Sequence, residues 1–188
     1  DEVEQGEKLT DKQKSYHQKT KVRDLALLTL LLGTGIRVSE CVGLNIADID
    51  FKNGGIRIYR KGGKEVTVYF GTEVEDALLD YLEERDRIIP EKGHEDALFL
   101  SLQRRRMAVR SVENLVKKYA RIVSPLKPIT PHKLRSTYGT NLYRETGDIY
   151  LVADVLGHSD VNTTKRHYAA LEDERRRSAR NKVRLREK

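Results

Sequence analysis

The sequence predicts a mainly α protein with a small antiparallel β-sheet, which is an α+β fold. Apolar residues recur at helical spacing in several segments, most clearly in residues 22–32, 74–82 and 112–123. One pair of short segments instead alternates apolar and polar residues on either side of Gly62-Gly63, a pattern that is typical of a β-hairpin. The chain has 188 residues, 38% of them hydrophobic, so we expect one domain with a core of its own.

The N-terminal part is predicted to be a polar lead-in followed by a buried helix. Residues 1–21 are polar and poorly periodic, so we interpret them as a linker and the start of a first helix after Thr10. His17 has no partner pattern and is expected on the surface. Residues 22–32 are apolar nearly all round, which predicts a helix buried on every side. Cys41, a little further on, is expected to fill the core.

The middle of the chain is predicted to hold the hairpin, a helix and a short extended segment. The hairpin strands are residues 55–59 and 65–70. Thr72 and Glu75 have the spacing of a capping box, which predicts a helix that begins there. Residues 97–100 form a short apolar run, which favours a strand or an extended segment.

The last third of the chain carries clear helix-boundary signals. Thr130 followed by Pro131 is typical of an N-cap and a first helical residue. This helix should end near Gly147, and Asp148 can cap the next one. Gly157 is then expected to end that second helix as a left-handed cap residue.

Charge is distributed unevenly along the chain. Residues 1–100 carry 15 Lys and Arg against 20 Asp and Glu, whereas residues 101–188 carry 21 against 9. The net charge of the whole chain is +7. A basic half of this kind is typical of a surface that binds a polyanion such as nucleic acid, although solvated surface charge produces the same composition.

Composition argues against several other classes of protein. No apolar run approaches the ~18 residues of a membrane span, and the first residues do not resemble a signal peptide. Cys41 is the only cysteine, which excludes a disulfide within the chain and a cysteine-rich zinc site. We therefore expect a cytoplasmic protein without a membrane partner.

Four side chains that suit work on a phosphodiester lie within residues 130–168. They are His132, Arg135, His158 and Tyr168. An arginine binds phosphate oxygens with a planar fork of donors, and a histidine moves protons near neutral pH. A tyrosine can attack phosphorus and remain covalently attached. This set favours strand cleavage through a covalent intermediate.

Two stretches of the chain resemble the catalytic core of the tyrosine recombinases, the integrase and Xer family. They are PHKLRST at residues 131–137 and LGHSDVNTTKRHY at residues 156–168. Upstream, GTGIRVSE at residues 33–40 is similar to the box with the family's first arginine, and YRKGGKEV at residues 59–66 is similar to its lysine hairpin. The four segments occur in the family's order. The resemblance covers roughly residues 22–170 and implies a tyrosine recombinase catalytic domain there.

The resemblance implies three phosphate-binding residues. Arg37 and Arg135 would hold the non-bridging oxygens of the scissile phosphate, with His158 as a third donor. Glu40, three residues after Arg37, would pair with that arginine or orient it. Without the resemblance, Arg37 is an ordinary arginine near a helix N-terminus.

The resemblance also implies how protons move. A free tyrosine, with a pKa of ~10, is only ~0.1% ionised at pH 7, which adds roughly 4 kcal/mol to the barrier. His132 would take the proton of the nucleophile Tyr168 in cleavage and return it in the reverse step. Lys61 would protonate the leaving 5′ oxygen, and Lys64 is the alternative by position.

The position of the nucleophile departs from the family pattern. Tyr168 is the tenth residue after His158, and the usual ninth position holds His167. Either the connecting turn has one extra residue or the last helix has a different register. Tyr143 and Tyr150 are the nearest alternative nucleophiles.

Several basic residues are candidates for contacts to the DNA backbone. They are Lys64, Arg104, Arg105, Arg106, Lys133, Lys165 and Arg166. For the arginine triplet a solvated loop is the alternative. The charged segment 171–188 is expected to be a tail that, by the resemblance, docks on a neighbouring subunit; contact with the DNA backbone or disorder are the alternatives.

The function implied is site-specific DNA recombination through a 3′-phosphotyrosyl intermediate and a Holliday junction. The partners implied are a double-stranded DNA recombination site, a homo-tetramer formed on that DNA by a protein that is a monomer in solution, and accessory DNA-bending proteins. We expect no cofactor, no ATP and no metal, since the sequence has no P-loop and no clustered carboxylates.

The resemblance also implies a setting, since family members act in the nucleoid of a prokaryote or come from a phage or mobile element. The family usually carries a separate domain upstream, so we expect the chain to be the catalytic part of a longer protein. The alternatives are a type IB topoisomerase-like strand transferase, a non-enzymatic helical DNA-binding regulator and a metal nuclease.

Overall fold

The structure is a computed structural model that describes residues 9–180 and residue 182. This part of the chain is mostly helical and contains one small antiparallel sheet, so the predicted mainly α fold with an antiparallel sheet is confirmed. The helices are α1 (Asp11–Thr34), α2 (Val38–Gly43), α3 (Thr72–Arg85), α4 (Val109–Val123), α5 (Pro131–Thr146), α6 (Ile149–Leu156), α7 (Val161–His167) and α8 (Ala169–Ala179). The strands are β1 (Ile49–Asp50), β2 (Gly55–Tyr59) and β3 (Glu65–Tyr69). No helix in the described range is long and apolar enough to cross a membrane.

The chain divides into two compact units. The first ends at Arg135 and the second begins at Ser136, within helix α5. The first unit contains the sheet and helices α1 to α4, and its core includes Cys41, whose burial raises the pKa of the thiol to about 12. The second unit contains most of α5 and helices α6 to α8.

Helix α1 begins earlier than the predicted buried segment and is not buried on every side. The Thr10 hydroxyl accepts the N–H of Gln13 at 3.3 Å, and the Gln13 side chain accepts the N–H of Thr10 at 2.8 Å. This capping box starts a helix that runs unbroken from Asp11. Leu25 and Leu32 are 59% and 45% exposed, so the prediction of burial all round was wrong. The helix packs against α3 and the core with one face, and the other face meets solvent.

The prediction that His17 lies on the surface was also wrong, because the structure buries it. Its ring Nδ1 lies 3.4 Å from the hydroxyl oxygen of Tyr119 in α4. That hydroxyl donates to the carboxylate of Asp24 at 3.0 Å, and Asp24 also pairs with Arg23 at 2.7 Å. The partners of His17 come from a distant helix, so the local pattern around it could not indicate them.

The sheet has the strand order β1–β2–β3 and is antiparallel throughout. The hairpin predicted at Gly62-Gly63 is confirmed, with Ile56 of β2 opposite Val68 of β3. Ile56, Ile58 and Val68 face the core, while alternate residues of the strands face solvent. The hairpin therefore holds its stem rigidly in the first unit and projects its turn outward.

Helix α3 has the predicted apolar face but a different start. Gly71 occupies the N-cap position and Thr72 is the first helical residue, so the predicted capping box does not form. Residues 97–100 are buried, but the predicted strand or extended segment does not form as a whole: isolated bridges at Ala97 and Leu100 flank bends at residues 98 and 99. They bind α3 through Tyr81, whose hydroxyl donates to the carbonyl of Leu98 at 2.9 Å.

The second unit follows the predicted boundaries closely. Gly147 adopts a left-handed conformation after α5, and Asp148 then caps α6 by accepting the N–H groups of Tyr150 and Leu151, both at 3.0 Å. Gly157 ends α6 in the left-handed conformation, with φ 69°. The small core of the second unit consists of Tyr143, Ile149, Val152, Leu156 and Tyr168. Helix α8 has no buried residue, and residues 181 and 183–188 of the expected tail lie outside the described part.

Candidate active site

Arg37 lies at the junction of two helices in the first unit. Gly35 ends α1 in the left-handed conformation, with φ 66°, and donates its N–H to the carbonyl of Leu31 at 3.1 Å. Arg37 is the N-cap residue of α2, and its side chain is 43% exposed. Helix α1, which packs one face on the core, and the glycine turn therefore hold the backbone of Arg37 and leave its guanidinium partly exposed to solvent.

Glu40 connects Arg37 to a second arginine. Its Oε1 accepts the backbone N–H of Arg37 at 2.8 Å, while its Oε2 lies 3.7 Å from Nη1 of the same residue. The same Oε2 lies 3.4 Å from Nε of Arg60, at the end of β2. Glu40 is buried, so this carboxylate sits in a low-dielectric environment between two guanidinium groups. Glu40 thus pairs with Arg37, and its role in orienting that arginine for a phosphate stays a prediction.

Lys61 and Lys64 flank the hairpin turn, as predicted. Lys61–Gly63 form a single tight turn, closed by a bond from the N–H of Arg60 to the carbonyl of Lys64 at 2.8 Å. Gly62 and Gly63 have φ values of 82° and 75°, which glycine alone adopts readily. Both lysine side chains are exposed, so either could reach a bound polyanion.

Arg135 contacts the glycine turn that precedes Arg37 in the chain. Helix α5 begins as predicted, with the Thr130 hydroxyl accepting the N–H of Lys133 at 3.2 Å. Arg135 is then one turn inside the helix and is buried. Its Nη1 donates to the carbonyl of Gly35, two residues before Arg37. The first unit thus brings the two motif arginines to one short segment, and His132 lies nearby in sequence on the exposed side of α5.

His158 is held at the end of α6 in the second unit. Its N–H bonds to the carbonyl of Ala153 at 2.9 Å, as in a helix that ends with a left-handed glycine. Its ring Nδ1 bonds to the hydroxyl of Thr164, which is fully buried in α7. This contact fixes the orientation of the imidazole ring.

Tyr168 stands between α7 and α8 and is only 3% exposed. Its ring stacks on Tyr143 at a centroid distance of 6.1 Å, and a methyl group on Gly139 would overlap its hydroxyl. Tyr138 borders the same core, and burial raises the pKa of its phenol. His167, which holds the family's usual position, is instead exposed.

The two alternative nucleophiles have contrasting surroundings. Tyr143 is buried in the core beneath Tyr168, and its ring also faces the guanidinium of Arg175 at 5.4 Å. Tyr150 is exposed on α6, with the ammonium of Lys165 5.3 Å from its ring centroid. Tyr168 differs from both because it lies at a helix junction itself, as the C-cap of α7 and the N-cap of α8.

The predicted DNA-contacting residues have different surroundings. Arg105, Lys133 and Arg166 are exposed, whereas Arg104 is paired with Glu91. Arg106 is turned inward instead: its guanidinium donates to the carbonyls of Val42 and Leu44, at 3.0 and 2.8 Å, and to the side chain of Asn45. Arg106 therefore fastens its loop to the end of α2, and DNA contact by the exposed residues stays a prediction.

Three residues of the site were not singled out from the sequence: Arg60, Thr164 and Gly139. Arg60 lies within the motif at residues 59–66 and Thr164 within the motif at residues 156–168, so both belong to segments that the sequence had already marked. Their side-chain contacts depend on tertiary packing, which no local pattern encodes. Among residues 9–180 and 182, no group of three or more His, Cys, Asp and Glu is arranged to hold a metal ion.

Relatives with known names match the chain along most of its length. The tyrosine recombinase XerD of Oceanobacillus iheyensis is 38% identical over 148 residues, which are 78% of this chain and 50% of the relative. The tyrosine recombinase XerS of Streptococcus uberis is 37% identical over 172 residues, which are 90% of this chain and 48% of the relative. The chain thus spans about half the length of the curated relatives it matches.

Solved structures show the same fold. The crystal structure of XerA recombinase superposes with a TM-score of 0.74 at 30% identity, covering 95% of this chain and 65% of the other. XerH site-specific recombinase, bound to a palindromic difH substrate after cleavage, gives a TM-score of 0.73 at 26% identity, covering 86% and 46%. The sequence profile of the phage integrase family matches residues 2–175. The chain therefore belongs to the phage integrase family, which includes the tyrosine recombinases.

Proposed function

We propose that the chain catalyses site-specific DNA recombination, cleaving and rejoining strands through a covalent bond between Tyr168 and the 3′ end of the cut strand. The observation that carries the proposal is the bond from Arg135 to the carbonyl of Gly35, because it joins the two motif arginines to one segment. Two guanidiniums that flank one short turn can bind the non-bridging oxygens of a single phosphate. His158, oriented by Thr164, supplies a third donor.

The proposed chemical step exchanges one phosphodiester for another. Tyr168 Oη attacks phosphorus and its proton passes to His132, while the bond from phosphorus to O5′ breaks. The ammonium of Lys61 gives a proton to the leaving O5′. In the reverse step a 5′-hydroxyl from another strand attacks the phosphotyrosine, so strand exchange through a Holliday junction requires neither ATP nor a metal in this scheme.

Burial of Tyr168 adds a condition to this reaction. A phenol that is 3% exposed in the core of the second unit does not present its hydroxyl to DNA. Cleavage therefore requires the segment between α7 and α8 to change conformation so that the ring leaves Gly139 and Tyr143. We propose that binding of the DNA site supplies this change.

The proposed partner is a double-stranded DNA recombination site, with four protomers assembled on it from monomers in solution and DNA-bending proteins as accessory partners. Relatives support the DNA partner: XerH was solved on its difH substrate, and the integrase of transposon Tn1549 in complex with circular intermediate DNA. The exposed basic residues of this chain supply the charge for such a contact. We propose a cytoplasmic, nucleoid-associated protein on this basis.

Covalent trapping tests the proposal. The protein is incubated in EDTA with a pool of nicked duplexes of varied sequence and denatured in SDS, and DNA-linked peptides are mapped by mass spectrometry. We expect an adduct on Tyr168 that is lost in Tyr168→Phe and kept in Tyr150→Phe. An adduct on another tyrosine would keep the reaction class and move the nucleophile.

Other results of the same experiment point to the other functions. DNA binding without any adduct would indicate a non-enzymatic regulator, and cleavage that EDTA abolishes would indicate a metal nuclease. If an adduct forms, relaxation of a supercoiled plasmid without pairing of two sites would indicate a topoisomerase. Joining of strands from two separate duplexes is the outcome expected of a recombinase.

A further inference from the structure

One buried carboxylate connects the Arg37 turn to the hairpin that carries Lys61. Glu40 Oε2 lies 3.7 Å from Arg37 Nη1 and 3.4 Å from Arg60 Nε. The side chains of Glu40 and Arg60 are only 4% and 10% exposed. Arg60 immediately precedes Lys61, so this ion pair lies at the base of the lysine turn.

The lysine turn itself stands in open space. Residues 61–64 are all exposed, and a Cβ atom built on Gly62 or Gly63 meets no other atom within 4 Å. Two successive left-handed glycines also give the backbone more freedom than other residues would. The position of the turn is therefore set from its base, by the strand pairing of the hairpin and by the side chain of Arg60.

Because the ion pair is buried, removing one of its partners should cost more than removing a partner of a surface pair. Exposed pairs contribute little because water screens them, whereas breaking a buried pair leaves an uncompensated charge that is costly. Without Arg60, the carboxylate of Glu40 would have only Arg37 as a cationic neighbour in this group. Loss of the Arg60 guanidinium would then free the base of the turn and draw the carboxylate of Glu40 toward Arg37.

We propose that Arg60 is a positioning residue for the reaction. Its ion pair with Glu40 holds the Lys61 turn at a fixed place beside the Arg37 turn, so that the lysine ammonium meets the 5′ oxygen of a phosphate bound by Arg37. This inference rests on the proposed function, in which Lys61 protonates that oxygen. Arg60 itself touches neither the phosphate nor the leaving group.

A change of leaving group tests the link between Arg60 and Lys61. Cleavage is measured on a nicked duplex recovered from the trapping pool, made once with the normal 5′ oxygen and once with 5′ sulfur at the scissile bond. A thiolate leaves without protonation, so a defect in proton donation disappears on the sulfur substrate. The variants are Arg60→Met, Lys61→Met, Arg37→Met and the control Arg57→Met.

Each variant has a distinct expected pattern. Lys61→Met should slow cleavage of the oxygen substrate by ~10²–10⁴-fold, and Arg60→Met by ~10–100-fold because the turn is misplaced. Both deficits should fall to within about threefold of wild type on the sulfur substrate, whereas that of Arg37→Met should persist. Arg57, in strand β2 just before Arg60, pairs with Asp48 at 3.2 Å and is 44% exposed, so its replacement should change either rate by less than about threefold.

A second readout does not depend on activity. Trypsin cleaves after Lys61 and Lys64, and release of the turn should raise the rate of cleavage there by about tenfold in Arg60→Met. Arg57→Met should leave that rate unchanged. Arg60→Lys, which keeps the charge but loses the planar guanidinium, should lie between Arg60→Met and wild type in both assays.

The two hypotheses fail in different ways. If wild type forms no adduct on any tyrosine, the proposed function fails and this inference fails with it. If wild type forms the adduct but Arg60→Met behaves like Arg57→Met in both assays, only the role of Arg60 is refuted. A deficit of Arg60→Met that persists on the sulfur substrate would also refute it, since the defect would then lie outside proton donation.

Discussion

At the scale of the residue, Gly139 shows how closely the candidate nucleophile is packed. This glycine lies in the middle of α5, where alanine would normally be preferred by ~1 kcal/mol. A methyl group here would overlap the hydroxyl of Tyr168 and approach Leu156 Cδ1 to 3.0 Å. The missing side chain is therefore the space in which the phenol rests.

Replacement of Gly139 by alanine should therefore destabilise the protein, although helix propensity alone predicts that it stabilises it. We expect Gly139→Ala to lower the free energy of unfolding by about 1–3 kcal/mol, because overpacking forces Tyr168 and α5 apart. Chemical denaturation monitored by circular dichroism measures the change. Gly43→Ala is the matched control, since a Cβ there meets nothing within 4 Å and should be neutral or stabilising. A stabilised Gly139→Ala protein would show that Tyr168 is not held against α5.

The residues of the site differ in how far the sequence could predict them. Arg37, Glu40 and Lys61 were predicted through the resemblance, because the motifs that carry it are local and lie beside a glycine turn or a hairpin, and their roles stay predictions. Arg60 could not be predicted in this way, because its importance comes from a carboxylate twenty residues earlier in the chain. Arg106 shows the converse, since its membership of a basic triplet concealed its bonds to the end of α2.

At the scale of the element, helix boundaries were predictable where capping chemistry is local. Asp148 and Gly157 mark boundaries through bonds to residues within five positions, so the sequence pattern contains the whole interaction. Thr72 is not the N-cap, because Gly71 occupies that position and Thr72 is already the first helical residue. Faces of helices were less predictable, because the exposure of Leu25 and the burial of His17 depend on which elements pack nearby.

The cap of α6 gives a prediction about the second unit. Asp148→Ala removes the acceptor for two N–H groups at the start of a helix of only eight residues. We expect a loss of about 1 kcal/mol in the free energy of unfolding, measured by thermal denaturation. Asp154→Ala, an exposed position within the same helix, is the control and should change stability by less than about 0.5 kcal/mol. Equal effects of the two substitutions would show that the cap contributes nothing specific.

At the scale of the whole molecule, the asymmetry of charge is the dominant property. Residues 1–100 carry a net charge of −5 and residues 101–188 a net charge of +12. Exposed cations such as Lys133 and Arg166 belong to the basic half. A polyanion bound there releases its counterions, so the affinity for DNA should depend steeply on salt.

Salt titration of DNA binding measures how strongly the affinity depends on the basic residues. We expect Lys133→Ala and Arg166→Ala each to lower the slope of log affinity against log salt concentration by about 1, with DNA binding followed by fluorescence anisotropy. Lys92→Ala, an exposed cation in the acidic half, should leave the slope unchanged. If all three variants change the slope equally, binding is a response to net charge and has no preferred face.

The bond from Arg135 to the carbonyl of Gly35 has a consequence for the folding of the chain. It joins residues that are 100 positions apart, so its formation closes a long loop and depends on the folding of the first unit as a whole. On the proposed function, an incompletely folded chain has scattered arginines and no phosphate clamp. The proposed DNA cleavage would then be confined to molecules in which the first unit is already complete.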